Sequence, residues 1–229
     1  NDQESRYTYL SMTGVEKEYM GVELAASVKL TSNLTLKALG TFNNAEYVNN
    51  PNANLTYENE SETKQDVVYI DGMKESGTPL SAYSLGLDYN VKGWFFSING
   101  NYYHRGFIDF STYRRLGNVL GIKPGNNGTV NDHGNPVTAI IPGQEEVDGG
   151  FMLDLSIGKY IRLQKGRSLS INLTLNNVTN NTDMKTGGYE QNRDDAYDDG
   201  RERPYQFSRH SKYYYAQGLN GFLNVGFRF

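Results

Sequence analysis

The chain has 229 residues and a formal net charge of −4, so it lacks the excess of positive charge that marks a nucleic-acid-binding protein, and nucleic acid is not an expected partner. It contains no cysteine, which excludes a disulfide scaffold, a cysteine-based zinc site and a thiol nucleophile. Its 25 Gly and 18 Tyr favour strands and turns over helices.

Seven segments place an apolar residue at every second position, which is the pattern of a strand with one apolar face. Their apolar faces carry no charged residue. In chain order the predicted strands are Val22–Leu30, Leu34–Phe42, Tyr83–Tyr89, Trp94–Tyr102, Phe151–Ile157, Leu169–Leu175 and Leu219–Phe229.

Charged residues occur only on the opposite faces of these predicted strands. An apolar face of this kind is covered either by lipid or by a second protein layer, so the alternation by itself also fits a soluble β-sandwich. The charged residues of the polar faces are Glu23, Lys29, Lys37, Asp88, Asp154 and Arg228.

The connections between the strands alternate strictly between short and long. Tight turns at residues 31–33, 90–93 and 164–166 alternate with long polar connections at residues 43–79, 104–148 and 178–212, for which we expect no sustained strand or helix. Outer-membrane barrels have this asymmetry, whereas structureless loops of such length are uncommon in a compact soluble domain. The sequence therefore predicts an all-β chain that forms part of a transmembrane antiparallel β-barrel.

Aromatic residues lie at both ends of the predicted strands, beside the short turns and toward the long connections. In a membrane barrel, aromatic side chains at these two levels form girdles at the membrane–water interfaces, although an ordinary core uses the same residue types. The predicted girdle residues are Tyr89, Trp94, Tyr102, Tyr213, Phe227 and Phe229.

Several motifs resemble the C-terminal strands of TonB-dependent outer-membrane receptors of the Bacteroidetes type. They are Gly21–Leu24 at the opening of a strand, Gly93–Tyr102, Asp154–Lys159, Leu173–Asn180 and the ending Gly226–Phe229. The resemblance covers essentially the whole chain from about residue 14 onward, and the order and spacing of the motifs carry it.

The resemblance implies that residues 1–229 are the C-terminal portion of a 22-stranded barrel and contain its last seven strands. The N-terminal plug and the earlier strands would then lie elsewhere, in the same or another polypeptide. It also implies that Phe227 and Phe229 belong to the signal that the barrel-assembly machinery reads.

The implied function is active import of a bulky, scarce nutrient, such as a glycan, a peptide, a siderophore or another metal chelate, across the bacterial outer membrane. Energy would come from the TonB–ExbB–ExbD complex through the plug, and a surface lipoprotein lid is a possible further partner. The chain is expected not to be an enzyme and to hold no cofactor or metal.

Tyrosines in and beside the long connections are the candidate ligand contacts, because aromatic side chains suit sugars, peptides and chelates alike. An equally good interpretation is that these rings anchor the loops to one another by stacking. The candidates are Tyr47, Tyr57, Tyr69, Tyr113, Tyr189 and Tyr197.

Two other functional classes stay open at this point. A soluble β-sandwich could serve as a carbohydrate-binding or adhesin module with long recognition loops. A β-rich hydrolase would need two carboxylates that only the fold brings together, such as Asp88 and Asp154.

Metal sites receive little support from the sequence. His104, His133 and His210 are scattered without metal-ligand spacing. The run of Asp194, Asp195, Asp198 and Asp199 before Gly200 offers hard oxygens for calcium, but its spacing is not that of a calcium-binding helix-loop-helix motif, and neighbouring arginines favour an ion-paired loop.

Overall fold

The computed structural model describes residues 8–57, 62–122, 129–130, 136–137, 141–192 and 210–229. The protein is all-β, as predicted. Helical structure in the described part is confined to two 3-10 turns, Tyr113–Arg115 and Gln164–Gly166, and the four-residue helix α1, Gly117–Leu120. The strands are β1 (Thr8–Thr13), β2 (Lys17–Lys29), β3 (Leu34–Tyr47), β4 (Asn52–Tyr57), β5 (Lys64–Val67), β6 (Ser81–Val91), β7 (Trp94–His104), β8 (Gly106–Phe107), β9 (Thr129–Val130), β10 (Pro136–Val137), β11 (Glu146–Val147), β12 (Gly150–Arg162), β13 (Ser168–Asn176), β14 (Lys185–Tyr189), β15 (Lys212–Tyr215) and β16 (Asn220–Arg228).

A single seven-stranded antiparallel sheet, which we call the main sheet, contains all seven predicted strands. Its order is β16-β13-β12-β7-β6-β3-β2, so each strand pairs with its neighbours among these seven in chain order. The seven strand predictions are therefore confirmed. In the described residues no helix is long and apolar enough to cross a membrane.

The register of the main sheet brings the seven apolar faces together on one side. Val22 lies opposite Phe42, and Ile98 lies opposite both Leu87 and Leu155. Because side chains alternate between the two faces of a strand, correct register at one pair fixes the face of every other residue on those strands. The main sheet thus has one apolar face and one polar face.

The three short turns lie at one end of the strands of the main sheet, which we call its short-turn edge. Two of these turns contain residues with left-handed backbone. Lys92 and Gly93 have φ values of 46° and 79°, and Lys165 and Gly166 have 59° and 74°. Two consecutive left-handed residues give a turn whose twist matches that of the flanking strands, and glycine adopts this conformation at no steric cost.

The described parts of the three long connections lie at the opposite end of the strands, the long-loop edge, and fold into what we call the loop layer. The expectation that they contain no strands was wrong: they include β4 and β5, which pair with β1 in a three-stranded sheet, and the two-stranded ribbons β8–β11, β9–β10 and β14–β15. These strands are short and irregularly spaced, so they leave no long period in the sequence.

The hydrophobic core of the described residues lies in the loop layer and not against the main sheet. Leu55, Val68, Ile70 and Leu116 are almost fully buried there, clustered with Ala53 and Met73. By contrast, most side chains on the apolar face of the main sheet are exposed, including Leu24 at 72%, Leu85 at 59% and Leu223 at 61%. No second layer of described residues covers that face.

The main sheet is open. β2 and β16 are its two edge strands, and no pairing joins them in the described part of the chain, so these strands do not close into a barrel by themselves.

Candidate functional site

Arg115 lies at the centre of the loop layer and is completely buried. Nη1 and Nη2 donate to the two carboxylate oxygens of Glu190 at 2.7 and 2.9 Å, forming a bidentate ion pair. The remaining donors reach backbone carbonyls of Ser111 at 3.0 Å, Pro142 at 3.2 Å and Gly143 at 3.0 Å. All five guanidinium N–H groups therefore have partners.

Glu190 is held ionised by this arrangement. Burial by itself raises the pKa of the Glu190 carboxyl, but hydrogen bonds from Arg115 and from the Ser111 backbone N–H outweigh it, so the net pKa is lowered. The Ser111 N–H to Glu190 Oε2 distance is 2.9 Å. The pair therefore stays charged at neutral pH.

Two other side chains, Gln144 and Asp66, connect segments of the loop layer by hydrogen bonds to backbone groups. Gln144 accepts from the Lys74 N–H at 2.6 Å and donates to the carbonyls of Lys74 and Ile108 at 2.9 and 2.8 Å. Asp66 accepts from the Asn118 N–H, in the first turn of α1, at 3.0 Å. The contacts of Gln144 with Lys74 and of Asp66 with Asn118 each link the first and second long connections.

Asn177 secures the base of the third connection and explains part of the Leu173–Asn180 motif. It is 2% exposed, and its Nδ2 donates to the carbonyls of Asn181 and Gln217 at 3.0 and 2.9 Å. Its backbone N–H donates to Asp154 Oδ1 at 2.8 Å. Its φ of 50° lies in the left-handed region that asparagine tolerates better than most residues.

Three of the predicted ligand contacts, Tyr47, Tyr57 and Tyr113, pack against the hydrophobic core of the loop layer. Tyr47 also meets Phe110 edge to face, with ring centroids 5.3 Å apart. These rings are partly buried, and their contacts hold the loop layer together.

The other candidate tyrosines lie apart from that group. Tyr69 is half-buried beside Gly117, and burial raises the pKa of its hydroxyl, with the Asp66 charge adding to the effect. Tyr189 is exposed on β14 and contacts Tyr214, with centroids 6.1 Å apart. Tyr197 lies outside the described residues.

Four predicted girdle residues lie at the short-turn edge of the main sheet. Tyr89 and Trp94 both contact Phe96, at centroid distances of 6.3 and 6.0 Å, and Phe227 contacts Phe229 at 6.2 Å. They form an aromatic row on the apolar face at this edge.

Lys159 is a charged residue on the apolar face of the main sheet, and no charge on that face was predicted from the sequence. It pairs with Trp94 in register, and its Nζ lies 4.6 Å from the Trp94 ring centroid. The charge-free band of the apolar face therefore ends at the level of Trp94, where a cation stacks on the indole.

The two remaining girdle candidates differ from each other. Tyr102 lies on the apolar face near the long-loop edge and contacts His104 at 6.3 Å between ring centroids. Tyr213 belongs to β15 in the loop layer, where its hydroxyl donates to Glu145 Oε1 at 2.6 Å. Its neighbours Tyr214 and Tyr215 are more exposed.

Three charged residues of the polar face, Lys37, Asp88 and Asp154, lie in hydrogen-bonded groups. Lys37 Nζ lies 2.6 Å from Asp88 Oδ2, and Ser97 donates to Asp88 Oδ1 at 2.7 Å. Asp154 accepts from Asn101 Nδ2 at 2.9 Å.

The two carboxylates of the hydrolase alternative are not assembled into an acid/base pair. β7 separates β6, which carries Asp88, from β12, which carries Asp154, and their residues are offset along the strands. Ordinary sheet spacings put the two backbones about 12 Å apart. Each carboxylate is also bound to different partners.

A cavity of about 200 Å³ lies between the long-loop edge of the main sheet and the loop layer. Apolar side chains make up much of its wall, with charged groups from Asp148 and Lys185 beside them. Its lining includes Pro79, Tyr103, Val147, Met152 and Met184.

Among the described residues, no three His, Cys, Asp or Glu side chains are grouped as metal ligands. His104 ends β7, and His210 accepts from Gln191 through its backbone carbonyl. His133 and the aspartates 194–199 lie outside the described residues.

Comparison of the chain with protein-family models, with curated proteins and with solved structures gives no match in any of the three. Evidence on function therefore comes from the fold, from its exposed apolar face and from the sequence motifs.

Proposed function

We propose that the chain is part of the wall and the outer loops of an outer-membrane transport receptor that binds a bulky nutrient for TonB-coupled import. The observation that carries this proposal is the apolar face of the main sheet. It extends over seven strands, contains no charge between its two aromatic levels and is exposed in the described structure. A soluble protein rarely exposes an apolar patch of this size, so the face needs a large apolar partner.

The dimensions of the face fit a lipid bilayer. Trp94 and Tyr102 mark its two levels on β7 and are eight residues apart, which is about 27 Å along a strand. At the usual barrel tilt of about 35–45°, that length spans about 20 Å along the membrane normal, close to the roughly 25 Å apolar band of outer-membrane barrels.

The charges at the rims of the band support the same proposal. Lys159 lies beside Trp94 at one level, and the Lys74–Glu46 ion pair lies beyond Phe42 at the other. A long cationic side chain at the end of a membrane strand places its ammonium group among the headgroups while its carbon chain stays in apolar surroundings.

In this proposal the polar face of the main sheet lines the lumen, and the loop layer lies outside the cell. The cavity between the loop layer and the sheet then opens on the path of the nutrient. The edges of β2 and β16 pair with the remaining strands of the barrel, because unpaired backbone groups in hydrocarbon are costly. The plug and its TonB–ExbB–ExbD partners, the assembly machinery and any lipoprotein lid act on the same complex.

The lipid assignment is tested with nitroxide labels on two neighbouring residues of β6. The chain has no cysteine, so Leu85→Cys on the apolar face and Ser84→Cys on the polar face each give one attachment point in it. The intact protein, freed of cysteines elsewhere, is reconstituted in phospholipid vesicles. Power saturation then measures collisions of each label with oxygen, which concentrates in lipid, and with a water-soluble nickel chelate.

The expected result is that the label at residue 85 collides mainly with oxygen and the label at residue 84 mainly with nickel. Low collision rates with both reagents at residue 85 would indicate a dry protein interior, as in a β-sandwich, and would refute the proposal. Fractionation of the native envelope gives an independent check: the protein is expected in the outer membrane, with a gel mobility that changes on boiling.

A further inference from the structure

We propose that the described parts of the three long connections, which form the loop layer, open as one cooperative unit, and that Arg115 is the positioning residue that couples them. This proposal goes beyond the transport function. It holds whether lipid or protein covers the apolar face of the main sheet.

Arg115 is tied to all three connections at once. Its own connection supplies the carbonyls of Ser111, Pro142 and Gly143, and the third supplies Glu190. The first is joined through the backbone, because the Tyr69 N–H donates to the Arg115 carbonyl at 2.8 Å.

The physical reason for cooperativity is the cost of separating a buried ion pair. If the third connection moved away alone, the guanidinium group would stay buried without a counter-ion. Removing one member of such a pair costs far more than the pair contributes when intact. Opening one connection is therefore disfavoured unless the whole layer opens and water reaches both charges.

The hydrophobic core adds to this coupling. Val68 of the first connection forms an isolated bridge with Leu116, which follows Arg115 directly, and both side chains are fully buried. Any movement that withdraws Arg115 from Glu190 therefore also disturbs the core. Two further backbone bonds, Asp109 N–H to the Gly188 carbonyl at 2.8 Å and Glu190 N–H to the Asp109 carbonyl at 2.9 Å, join the second and third connections beside the ion pair.

The Lys74–Glu46 ion pair provides a matched control. It joins the first connection to the end of β3 only, and its side chains are 23% and 24% exposed. A partly solvated pair is worth little and leaves no charge stranded in the core when it breaks. Lys74→Met should therefore act only near residues 44–47 and 72–75.

Hydrogen exchange followed by mass spectrometry on the intact protein tests the proposal. In Arg115→Met, the amides of Tyr69, Asp109 and Glu190, one or more in each connection, should exchange faster by a common factor of about 100 or more. Amides within β6 and β7 should keep their wild-type rates. Lys74→Met should leave the three reporter amides unchanged.

Faster exchange in Arg115→Met confined to residues 108–116, with Tyr69 and Glu190 unchanged, would overturn the proposal. If Arg115→Met does not assemble, Glu190→Gln replaces it, because the amide keeps the shape of the carboxylate while it removes the charge and one of the two acceptor oxygens. In that variant, a common acceleration in all three connections supports the coupling, and acceleration in the third connection alone overturns it.

Discussion

If lipid covers the apolar face, the free-energy cost of a lysine on that face depends on its depth in the bilayer, and Ile98 is the position at which this cost should be largest. This residue lies four positions from Trp94 and four from Tyr102 on β7, so it is at mid-height of the apolar band. In a membrane barrel, a lysine at the bilayer midplane costs about 2–4 kcal/mol, and the cost falls to about 0–1 kcal/mol near the interface. Ile98→Lys should therefore reduce the free energy of unfolding by the larger amount.

Two control substitutions accompany it. Val91→Lys lies on the same face, directly opposite Trp94 on the neighbouring strand β6, so it is at the level of the short-turn girdle and should cost the smaller amount. Asn99→Lys is next to Ile98 and faces the polar side, where a surface substitution usually changes stability by about 0.5 kcal/mol or less. Urea unfolding of the intact protein in phospholipid vesicles, followed by gel mobility, measures all three.

Equal losses at Ile98 and Val91 would refute the reasoning, because the penalty would then not depend on depth in a bilayer. A negligible loss at Ile98 would do so as well, since it would mean that water, and not lipid, contacts the centre of the apolar face.

Three further predictions concern packing, loop anchoring and pH. In Gly158→Ala the new Cβ would lie 1.9–2.5 Å from the ring of Phe95, so we expect a loss of about 1–3 kcal/mol in urea unfolding, and Phe95→Leu in the same chain should recover part of it. Asn177→Ala removes the side-chain hydrogen bonds that close the third connection and places alanine at a left-handed φ, so the thermal unfolding temperature should fall. Asn177→Gly removes the same hydrogen bonds but adopts this φ without strain, so its unfolding temperature should fall by less. The lowered pKa of Glu190 means that its contribution to stability is complete above the ordinary glutamate pKa of about 4.3 and is lost as the pH falls through the lower folded value. Hydrogen exchange of its amide, corrected for the intrinsic pH dependence of exchange, should show this step. Arg115→Met should reduce the step without abolishing it, because the Ser111 N–H and the Arg114 charge also lower this pKa.

The main sheet could be predicted from the sequence because each of its strands is long and strictly alternating. Val22–Leu30 and Leu169–Leu175, for example, need only their own period to define a strand and its apolar face. The three short turns fix only the pairs β2–β3, β6–β7 and β12–β13 as neighbours, and the other three pairs of the sheet are joined through the long connections. The strand ends were less accurate: β3 continues to Tyr47, because its last residues pair with Lys17–Gly21 and with residues 73–75 of the loop layer.

The loop layer could not be predicted in the same way. Its central ion pair joins Arg115 and Glu190, which are 75 positions apart in two polar segments, and arginine and glutamate in such segments are usually solvated. The signal that they are buried is tertiary: the core formed by Leu55, Val68 and Leu116 excludes water around them. For the tyrosines, the sequence identified the right region but not their surroundings, and Tyr47, Tyr57 and Tyr113 pack against that core.

The loop layer has its own hydrophobic core, so the amino acids of the loop layer and those of the main sheet are constrained in different ways. Residues on the apolar face of the main sheet need only keep their alternation, since any apolar side chain of suitable size satisfies that face. Residues such as Arg115, Gln144 and Asn177 must instead keep their identity, because each satisfies several specific backbone groups. The exposed positions between these anchors make no such contacts, so they can change without any change to the strands that support them.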